Sequence, residues 1–255
     1  MKKQLTLFFT ALTFYTRIPC YSLSNFTEEY INKASRYFPL VGWIVGAFGA
    51  IIYILTSHIL PHSIAILLSI LSIILITGAF HEDGLADFCD GFGGGNTKEQ
   101  ILTIMKDSRT GSYGVIGVIM ILALKYFSLF EIKHSIIPLA LIASNSISRF
   151  TAISFMYTHD YARKNDSTSK SPQVAQKAKL LDIIIAAIIS ILPVILLGYI
   201  YLLALIPIFI IREIMGFYFN KKINGYTGDS LGAVQQITEI TFYIFILLIQ
   251  QWKFT

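Results

Sequence analysis

Charged side chains are scarce in this chain of 255 residues, where they make up 14% of the total. A soluble globular domain carries roughly 25% charged residues, so this sequence has too little charge to cover a water-facing surface. Only two cysteines are present, Cys20 and Cys89, which excludes a disulfide-stapled secreted module. A hydrophobic content of 55% excludes a disordered chain. The class that remains is a polytopic membrane protein.

The missing charge leaves long apolar runs. Residues 37–80 contain no Asp, Glu, Lys or Arg in 44 positions. Because about 20 apolar residues cross a bilayer as a helix, this run predicts two spans that break near Pro61. A second uncharged run of 29 residues, 183–211, predicts two helices that meet near Gly198. With single spans at 113–130, 135–155 and 237–251, we expect an all-α, polytopic integral membrane helical bundle of about seven spans, in one domain over residues 1–255.

The basic residues predict the orientation, because Lys and Arg collect in cytoplasmic loops. Seven spans place 15 of the 20 Lys and Arg on one side and only Lys133 and Lys253 on the other. The N-terminus and the loops at 81–112, 156–181 and 220–236 are therefore expected to face the cytoplasm, in a protein of the cell membrane. Topology accounts for the net charge of +5, so no nucleic acid is expected as a partner. The sequence leaves the oligomeric state open, a homo-oligomer included.

The N-terminal segment imitates a signal peptide, because Lys2 and Lys3 precede an apolar run at residues 5–15. No small-residue cleavage site follows that run. About a dozen residues are also too few to cross a bilayer. We expect an interfacial or re-entrant helix.

Six of the fifteen acidic residues fall in the loop at 81–112. Three of them, Asp83, Asp87 and Asp90, are spaced i, i+4 and i+7, so a helix that continues past Phe80 carries all three carboxylates on one face. Like charges at this spacing repel each other unless a cation lies among them. Carboxylate oxygens suit Mg²⁺, Mn²⁺ or Ca²⁺, and Mg²⁺ commonly joins one or two carboxylates to a substrate phosphate.

Two other interpretations of the acidic loop compete with a site for a hard cation. The first is a solvated acidic helix end whose repulsion is screened by salt. The second is a zinc site at His81 and Cys89, which the sequence disfavours because the two residues lie on different helix faces and no second Cys/His pair is near.

A glycine-rich segment and then a basic segment follow the acids. The glycines within residues 91–95 let backbone N–H groups approach phosphate oxygens closely, although a flexible linker explains them equally well. Beyond them, Lys106 and Arg109 stand three residues apart and can neutralise a diphosphate. The position of these segments next to the carboxylates describes a metal-diphosphate site.

Three further polar positions lie on the same predicted side. Arg149 falls within a span, where a charge is costly, so it is a functional candidate unless it snorkels to the interface. Arg163 belongs to the loop at 156–181, whose Ser- and Lys-rich part at 164–179 is expected to be a mobile or surface-bound loop. Asp229, in a Thr-Gly-Asp turn, offers one more carboxylate, and a capping or turn role is its alternative.

Five motifs together resemble the cobalamin synthase family, whose members are adenosylcobinamide-GDP ribazoletransferases. They run in order along nearly the whole chain and are specific as a set. They are FYTRIP at 14–19, YFPLVG at 37–42, DGLADFCDG at 83–91, MKDSRTG at 105–111 and TGDSLGA at 227–233.

The resemblance implies a polytopic membrane enzyme that uses Mg²⁺ to join adenosylcobinamide-GDP to α-ribazole or its 5′-phosphate. A ribazole hydroxyl or phosphate attacks the cobinamide-linked phosphorus and GMP leaves, giving adenosylcobalamin or its 5′-phosphate. Carried onto this sequence, the expected metal ligands are Glu82, Asp83, Asp87 and Asp90, and the catalytic acids are Asp83, Asp87, Asp90 and Asp229. The expected substrate-binding residues are Lys106, Asp107, Ser108, Arg109, Gly111, Arg149, Arg163 and Thr227.

Other functions are disfavoured by particular positions. A CDP-alcohol phosphotransferase-like membrane enzyme begins its motif Asp-Gly-x-x-Ala-Arg, whereas residue 87 is Asp here. An intramembrane prenyltransferase needs a second Asp-rich motif, which the sequence lacks. A membrane transporter is expected to carry acids near the middle of its spans or an internal repeat, and neither is evident.

Overall fold

The computed structural model describes residues 2–20, 33–163 and 180–252, which fold into α-helices joined by short turns. Within those ranges no strand forms, and the one extended contact is a parallel bridge between Tyr161 and Tyr226. The helices are α1 (Lys2–Tyr15), α2 (Phe38–Ser57), α3 (His62–Thr77), α4 (Phe80–Gly94), α5 (Lys98–Ile104), α6 (Ser112–Glu131), α7 (Ile137–Thr158), α8 (Leu180–Leu197), α9 (Leu205–Ile223) and α10 (Gly228–Trp252). This confirms the predicted all-α fold.

Within the described residues, six helical segments are long and apolar enough to cross a membrane, and α3 adds a seventh when it is counted together with the helix bent away from it. The chain is therefore a multi-pass membrane protein with the predicted number of spans. The predicted division of the run 183–211 is confirmed, because α8 ends at Leu197 and Gly198 takes a φ of +141°. That conformation favours glycine and starts a new helical segment at Tyr199.

The acidic segment lies on a helix of its own, because the span before it ends before Phe80. α3 ends at Thr77, and Gly78 and Ala79 both have positive φ, at 67° and 57°. After this turn α4 leaves at 87° to α3. The acids still share a helix as predicted, but that helix has its own direction. Because four acids in 15 residues are incompatible with lipid contact, α3 carries the membrane-crossing part of this bent pair, and the acids of α4 lie outside the lipid.

The loops predicted at 81–112 and 220–236 are also largely helical. α4 and α5 occupy most of the first. In the second, α10 begins at Gly228, so the final span starts nine residues before the predicted Ile237. The polar residues Gln235 and Gln236 favour a loop, but their side chains, like that of Glu239 in the predicted span, are buried between helices instead of facing water.

The third predicted loop, 156–181, is described only in part. α7 continues to Thr158, and backbone hydrogen bonds join Asp160 to Tyr226 and Ala162 to Tyr226. The expectation of a mobile or surface-bound loop falls on residues 164–179, which lie outside the described residues.

The N-terminal helix α1 has 14 residues and is too short to cross a bilayer, as predicted. Arg17, two residues beyond the end of α1, donates a backbone hydrogen bond to Ile76 O at 2.7 Å. This bond ties α1 to the end of α3, next to α4. The interfacial or re-entrant position of α1 stays a prediction.

Two close helix crossings position the site. α2 packs along α7, where Cβ atoms added to Gly42 and Gly46 would fall 2.3 and 2.6 Å from the carbonyl oxygens of Asn145 and Leu141. α4 crosses the start of α10 with Gly84 and Gly232 in contact. These small residues let the helix backbones approach closely, which is how helices commonly associate in membranes.

Candidate active site

The crossing of α4 and α10 brings together carboxylates that are far apart in the sequence. Asp83 and Asp87, one turn apart on α4, and Asp229, in the first turn of α10, line one cavity of about 490 Å³. Gly84 lies between the two α4 acids in the sequence and allows the contact, because a Cβ added there would fall 3.1 Å from Asp229 O. Three of the four predicted catalytic acids therefore lie around one cavity.

Basic and hydroxyl groups face the same cavity. Arg163 donates from Nη2 to Asp229 Oδ2 at 3.3 Å and has a largely buried side chain. The segment between α5 and α6 contributes the other polar walls, and Tyr161 contributes an aromatic one. Besides the three carboxylates and Arg163, the lining residues are Met105, Lys106, Asp107, Ser108, Thr110, Tyr161 and Gly228.

The three acids repel one another. Asp87 is half-buried, and burial raises the pKa of its carboxyl to about 7, with Asp229, Asp83 and Asp90 adding to the rise. Arg163 acts in the opposite direction. A carboxylate cluster with this excess of negative charge attracts a cation or the positive groups around a bound phosphate.

Asp90 does not line this cavity, although it shares a helix with the other two acids. Its carboxylate oxygens accept hydrogen bonds from Gly111 N at 2.6 Å and Gly114 N at 2.8 Å. The N–H groups at the start of α6 have no partner within their own helix, so Asp90 satisfies them and fixes α6 against α4. Gly111 must be small here, because an added Cβ would fall 2.5 Å from Asp90 Oδ1.

The predicted pair of cations, Lys106 and Arg109, is divided by the structure. Lys106 lines the cavity. Arg109 is 87% exposed and binds Asp107, with Nη2 to Oδ2 at 2.6 Å. Hydrogen bonds from the side chain and backbone of Arg109 lower the pKa of Asp107 to about 2, so this exposed carboxylate stays ionised. The pair holds the loop at the edge of the cavity.

Thr227 is buried and closes the first turn of α10. Its Oγ1 accepts from Ser230 N at 3.2 Å, and Ser230 Oγ accepts from Thr227 N at 2.8 Å. This reciprocal cap is the reason that a helix begins here and not at residue 237. It also fixes Asp229 at the mouth of the helix. The capping role considered for Asp229 belongs to Thr227 and Ser230.

Glu82 does not line the cavity but belongs to a buried polar network, which the sequence interpretation above does not include. Glu82 Oε1 accepts from Gln236 Nε2 at 3.0 Å, and Lys125 Nζ donates to Gln236 Oε1 at 3.1 Å and to Glu239 Oε2 at 3.2 Å. Lys125 and Glu239 are each 1% exposed. The sequence does contain a sign of this network, because Lys125 is the one charged residue within 113–130. A charged residue within a span usually has a buried partner or a functional role.

Arg149 belongs to the same interior and not to the cavity. Its Nη1 donates to Asn145 Oδ1 at 2.7 Å, and its guanidinium lies 5.5 Å from the Phe38 ring centroid. Asn145 in turn donates to Glu239 Oε1 at 3.4 Å. Arg149 is therefore part of the packing between α2, α7 and α10, and it does not reach the interface by snorkelling.

The donor set of the cavity fits a magnesium ion in part. Within the described part of the chain, no three His, Cys, Asp or Glu side chains are grouped closely enough to hold a metal ion by themselves. Mg²⁺ usually takes one or two protein carboxylates and completes its shell with water and substrate phosphate oxygens. Asp83 and Asp87 supply oxygens of that kind on the wall of an open, polar cavity. The residues fit an ion that arrives with a diphosphate.

Carboxylates, cations and hydroxyls around one cavity suit transfer of a phosphoryl group. Such reactions depend on positioning the reactants and on compensating phosphate charge. The charged and hydroxyl-bearing residues of this cavity come from the segments 83–91, 105–111 and 227–233, together with Tyr161 and Arg163.

Comparison with known proteins agrees with this chemistry. Residues 7–247 match the family model described as Cobalamin-5-phosphate synthase. Relatives named adenosylcobinamide-GDP ribazoletransferase include one from Shewanella frigidimarina, 45% identical over 251 residues that cover 97% of this chain and 96% of the relative, and one from Shewanella oneidensis, 45% identical over 97% and 95% of the two chains. A third, from Shewanella pealeana, is 44% identical over 97% of each. No solved structure matches the chain. The chain therefore belongs to the Cobalamin-5-phosphate synthase family.

Proposed function

We propose that this protein is an Mg²⁺-dependent adenosylcobinamide-GDP ribazoletransferase. The observation that carries the proposal is the cavity in which Asp83, Asp87 and Asp229 face Lys106 and Arg163, because its walls come from the motif segments of a chain in this family. The substrates are adenosylcobinamide-GDP and α-ribazole or its 5′-phosphate. The products are adenosylcobalamin or its 5′-phosphate, and GMP.

Lys106 and Arg163 bind the phosphate oxygens of the diphosphate, and Ser108 and Thr110 add hydroxyl donors from the same loop. Asp107 and Arg109 hold that loop at the edge of the cavity through their ion pair. Gly111 keeps the start of α6 close to Asp90. These contacts place the cobinamide-linked phosphorus next to the carboxylates.

In the transfer, a hydroxyl of the ribazole forms a bond to the cobinamide-linked phosphorus. The bond from that phosphorus to the oxygen of GMP breaks, and GMP leaves with the electron pair. A cavity carboxylate accepts the proton of the attacking hydroxyl. Asp83 and Asp87 would hold Mg²⁺ together with phosphate oxygens of the substrate, and Asp229 would add negative charge beside them. The ion would supply positive charge that compensates the phosphate oxygens.

Two of the acids that the family resemblance implied as metal ligands act instead by positioning. Asp90 holds the start of α6, and Glu82 anchors α4 to Gln236. Arg149 and Thr227 act in the same way, through the interior network and the cap of α10. None of these four side chains lines the cavity.

The protein lies in the cell membrane, and its cavity faces the cytoplasm. The N-terminus and the loops on the side of the cavity contain 15 Lys and Arg residues, whereas the other side contains two. Basic loops are retained in the cytoplasm. Nucleotide-activated substrates are also cytoplasmic. Labelling single added cysteines near Lys98 and near Lys133 with a membrane-impermeant thiol reagent tests this orientation, since only the second position should react from outside intact cells.

The test of the reaction uses the full-length protein purified in detergent or lipid nanodiscs. Incubation with adenosylcobinamide-GDP and α-ribazole should release GMP and a cobalamin identified by mass spectrometry, and omission of α-ribazole should abolish both products. Asp83→Asn should remove the activity while the protein still inserts and folds. Transfer from a CDP-activated lipid in place of this reaction would show a CDP-alcohol phosphotransferase, and uptake of a corrinoid into vesicles without GMP release would show a transporter.

A further inference from the structure

A second, smaller pocket of about 70 Å³ lies beside the carboxylate cavity. Gly228 lines both spaces. A Cβ added to Gly228 would meet no atom within 4 Å, so the backbone is open where the two spaces meet. A ligand held at the carboxylates can therefore extend past Gly228 into the smaller pocket, which we name the aromatic pocket.

Rings from three helices form much of the wall of the aromatic pocket. The ring centroids of Tyr15 and Phe38 are 3.8 Å apart in a stacked arrangement, and Phe38 is nearly parallel to His81 at 5.7 Å. Phe80 meets Tyr15 edge to face at 5.9 Å. Such surfaces favour a flat ring that stacks or packs edge-on. Phe14 completes the ring-bearing wall.

The rest of the wall is apolar. Ile153, Met156 and Leu231 contribute aliphatic groups, and Gly232 contributes backbone. Among the described residues, no Asp, Glu, Lys, Arg, Asn or Gln lines this pocket. Tyr15 and His81 are the lining residues with polar side-chain atoms, and His81 Nε2 has no hydrogen-bond partner within the described part of the chain. A guanine, whose edge carries several donors and acceptors, would lose more hydrogen bonds to water than these two side chains can replace. An apolar bicyclic base loses little.

The size of the pocket also favours a bicyclic base. One water needs roughly 10–15 Å³ of such space, so the aromatic pocket holds about five waters. That volume suits a bicyclic ring system and is far too small for a corrin macrocycle. Phe14 and Phe80 are partly exposed, at 38% and 42%, so one side of the pocket is open to an entering ligand.

We propose that the aromatic pocket binds the flat, apolar benzimidazole base of the ribazole acceptor. With the base in this pocket, the ribose lies past Gly228, and its hydroxyl reaches the phosphorus in the carboxylate cavity. The inference rests on the proposed transferase function and deepens it, because it assigns the acceptor and not the nucleotide donor to the aromatic pocket.

Phe80→Ala tests the wall of the pocket, and Phe48→Ala is its matched control. Phe48 is 40% exposed, close to the 42% of Phe80, but lies on α2 outside the pocket. In the full-length enzyme, Phe80→Ala should raise the KM for α-ribazole by about 5-fold or more, as expected for loss of an aromatic contact. The KM for adenosylcobinamide-GDP should change by less than about 2-fold, and Phe48→Ala should match the wild type in both.

Gly228→Leu tests the passage between the two spaces, and Gly228→Ala is the smaller control. Leucine has open space to occupy and should not disturb folding, but its side chain obstructs the path from the cavity to the pocket. The KM for α-ribazole should rise by about tenfold with leucine and clearly less with alanine. In the wild type, a riboside of imidazole, which lacks the fused ring, should have a higher KM than α-ribazole. In Phe80→Ala this difference in KM should disappear.

The outcomes separate this inference from the proposed function. If the wild type makes cobalamin while Phe80→Ala and Gly228→Leu keep the wild-type KM for α-ribazole, the pocket assignment is overturned and the transferase function stands. A rise in the KM for adenosylcobinamide-GDP alone places guanine in the pocket and also overturns it. If the wild type makes no cobalamin from α-ribazole, both proposals fail.

Discussion

Gly84 on α4 and Gly232 on α10 lie in contact where the two helices cross. A Cβ added to Gly232 would fall 3.2 Å from Gly84 Cα, and one added to Gly84 would fall 3.2 Å from Asp229 Cα. The distance between the acids of α4 and Asp229 is therefore set by the lack of two side chains. Residues 83–87 meet residues 227–233 because both segments have glycine at the crossing.

Gly84→Ala should lower kcat by at least about tenfold while the protein still folds. The added methyl meets backbone atoms of α10, which cannot rotate away, so the helices must separate by a few tenths of an ångström. Small misplacements of reacting groups are known to cost up to about 100-fold in rate. Steady-state kinetics in nanodiscs, together with the melting temperature, measures the effect.

Gly94→Ala is the matched control on the same helix. Its added Cβ would make one ordinary contact, 3.5 Å from Ile104 Cδ1. Both substitutions remove the helix penalty of glycine, so both gain intrinsic helix stability. Equal activities for the two variants would show that the crossing distance does not position the carboxylates.

Asp90→Asn and Asp87→Asn should have opposite signatures. Asp90 accepts two N–H bonds at the start of α6, so Asn, which offers one acceptor, should lower the free energy of unfolding by about 1–3 kcal/mol. Asp87 lies among like charges, so Asn should leave the stability equal or higher and abolish turnover. Thermal unfolding and GMP release on the same preparations compare them. A stable Asp90→Asn protein without activity would place Asp90 among the reacting groups.

Lys125→Met should destabilise the protein strongly, because it leaves Glu239 inside the bundle without its ion-pair partner. Removing one partner of a buried ion pair costs about 3–5 kcal/mol. Both residues are 1% exposed, so water cannot compensate. Lys125→Met with Glu239→Gln should recover part of the loss, and a thermal-unfolding cycle with both single variants measures the coupling. Lys133→Met, at an exposed position, should stay within about 0.5 kcal/mol of the wild type.

Arg163→Met should raise the KM for adenosylcobinamide-GDP by more than about tenfold, because Arg163 is the cation that bonds Asp229 inside the cavity. Arg36→Met is a matched control. Arg36 binds Asp182 at 3.1 Å, and its side chain is 11% exposed, as is that of Arg163, but it does not line the cavity. The two variants should lose similar stability. A similar rise in KM for both would assign the effect to general loss of packing.

Much of the architecture follows from composition and spacing. The scarcity of charge predicts a membrane bundle, and the two uncharged runs predict four of its helices, including the division at Gly198. The order of the motifs predicts the family and brings Asp83, Asp87 and Asp229 into one site. These features depend on local periodicity and on short motifs, which a single sequence displays directly.

The features that the sequence does not predict depend on contacts between distant segments. Asp90 is indistinguishable from Asp87 by spacing, but the start of α6 takes its two oxygens. The sequence places Gln236 at the end of a polar loop and Glu239 at the start of a span, but Lys125 and Glu82 bind them inside the bundle. The direction of α4 is also not predictable from the sequence, because the 87° turn before this helix depends on the backbone conformation of Gly78 and Ala79.

The most direct measurement for the central claim is release of GMP from adenosylcobinamide-GDP by the purified protein with α-ribazole, before and after chelation of divalent ions. We predict that EDTA abolishes release, that added Mg²⁺ restores it, and that Asp83→Asn, with an unchanged melting temperature, releases none under either condition. Release that persists in EDTA, or that Asp83→Asn retains, would contradict a magnesium-assisted transfer at this cavity.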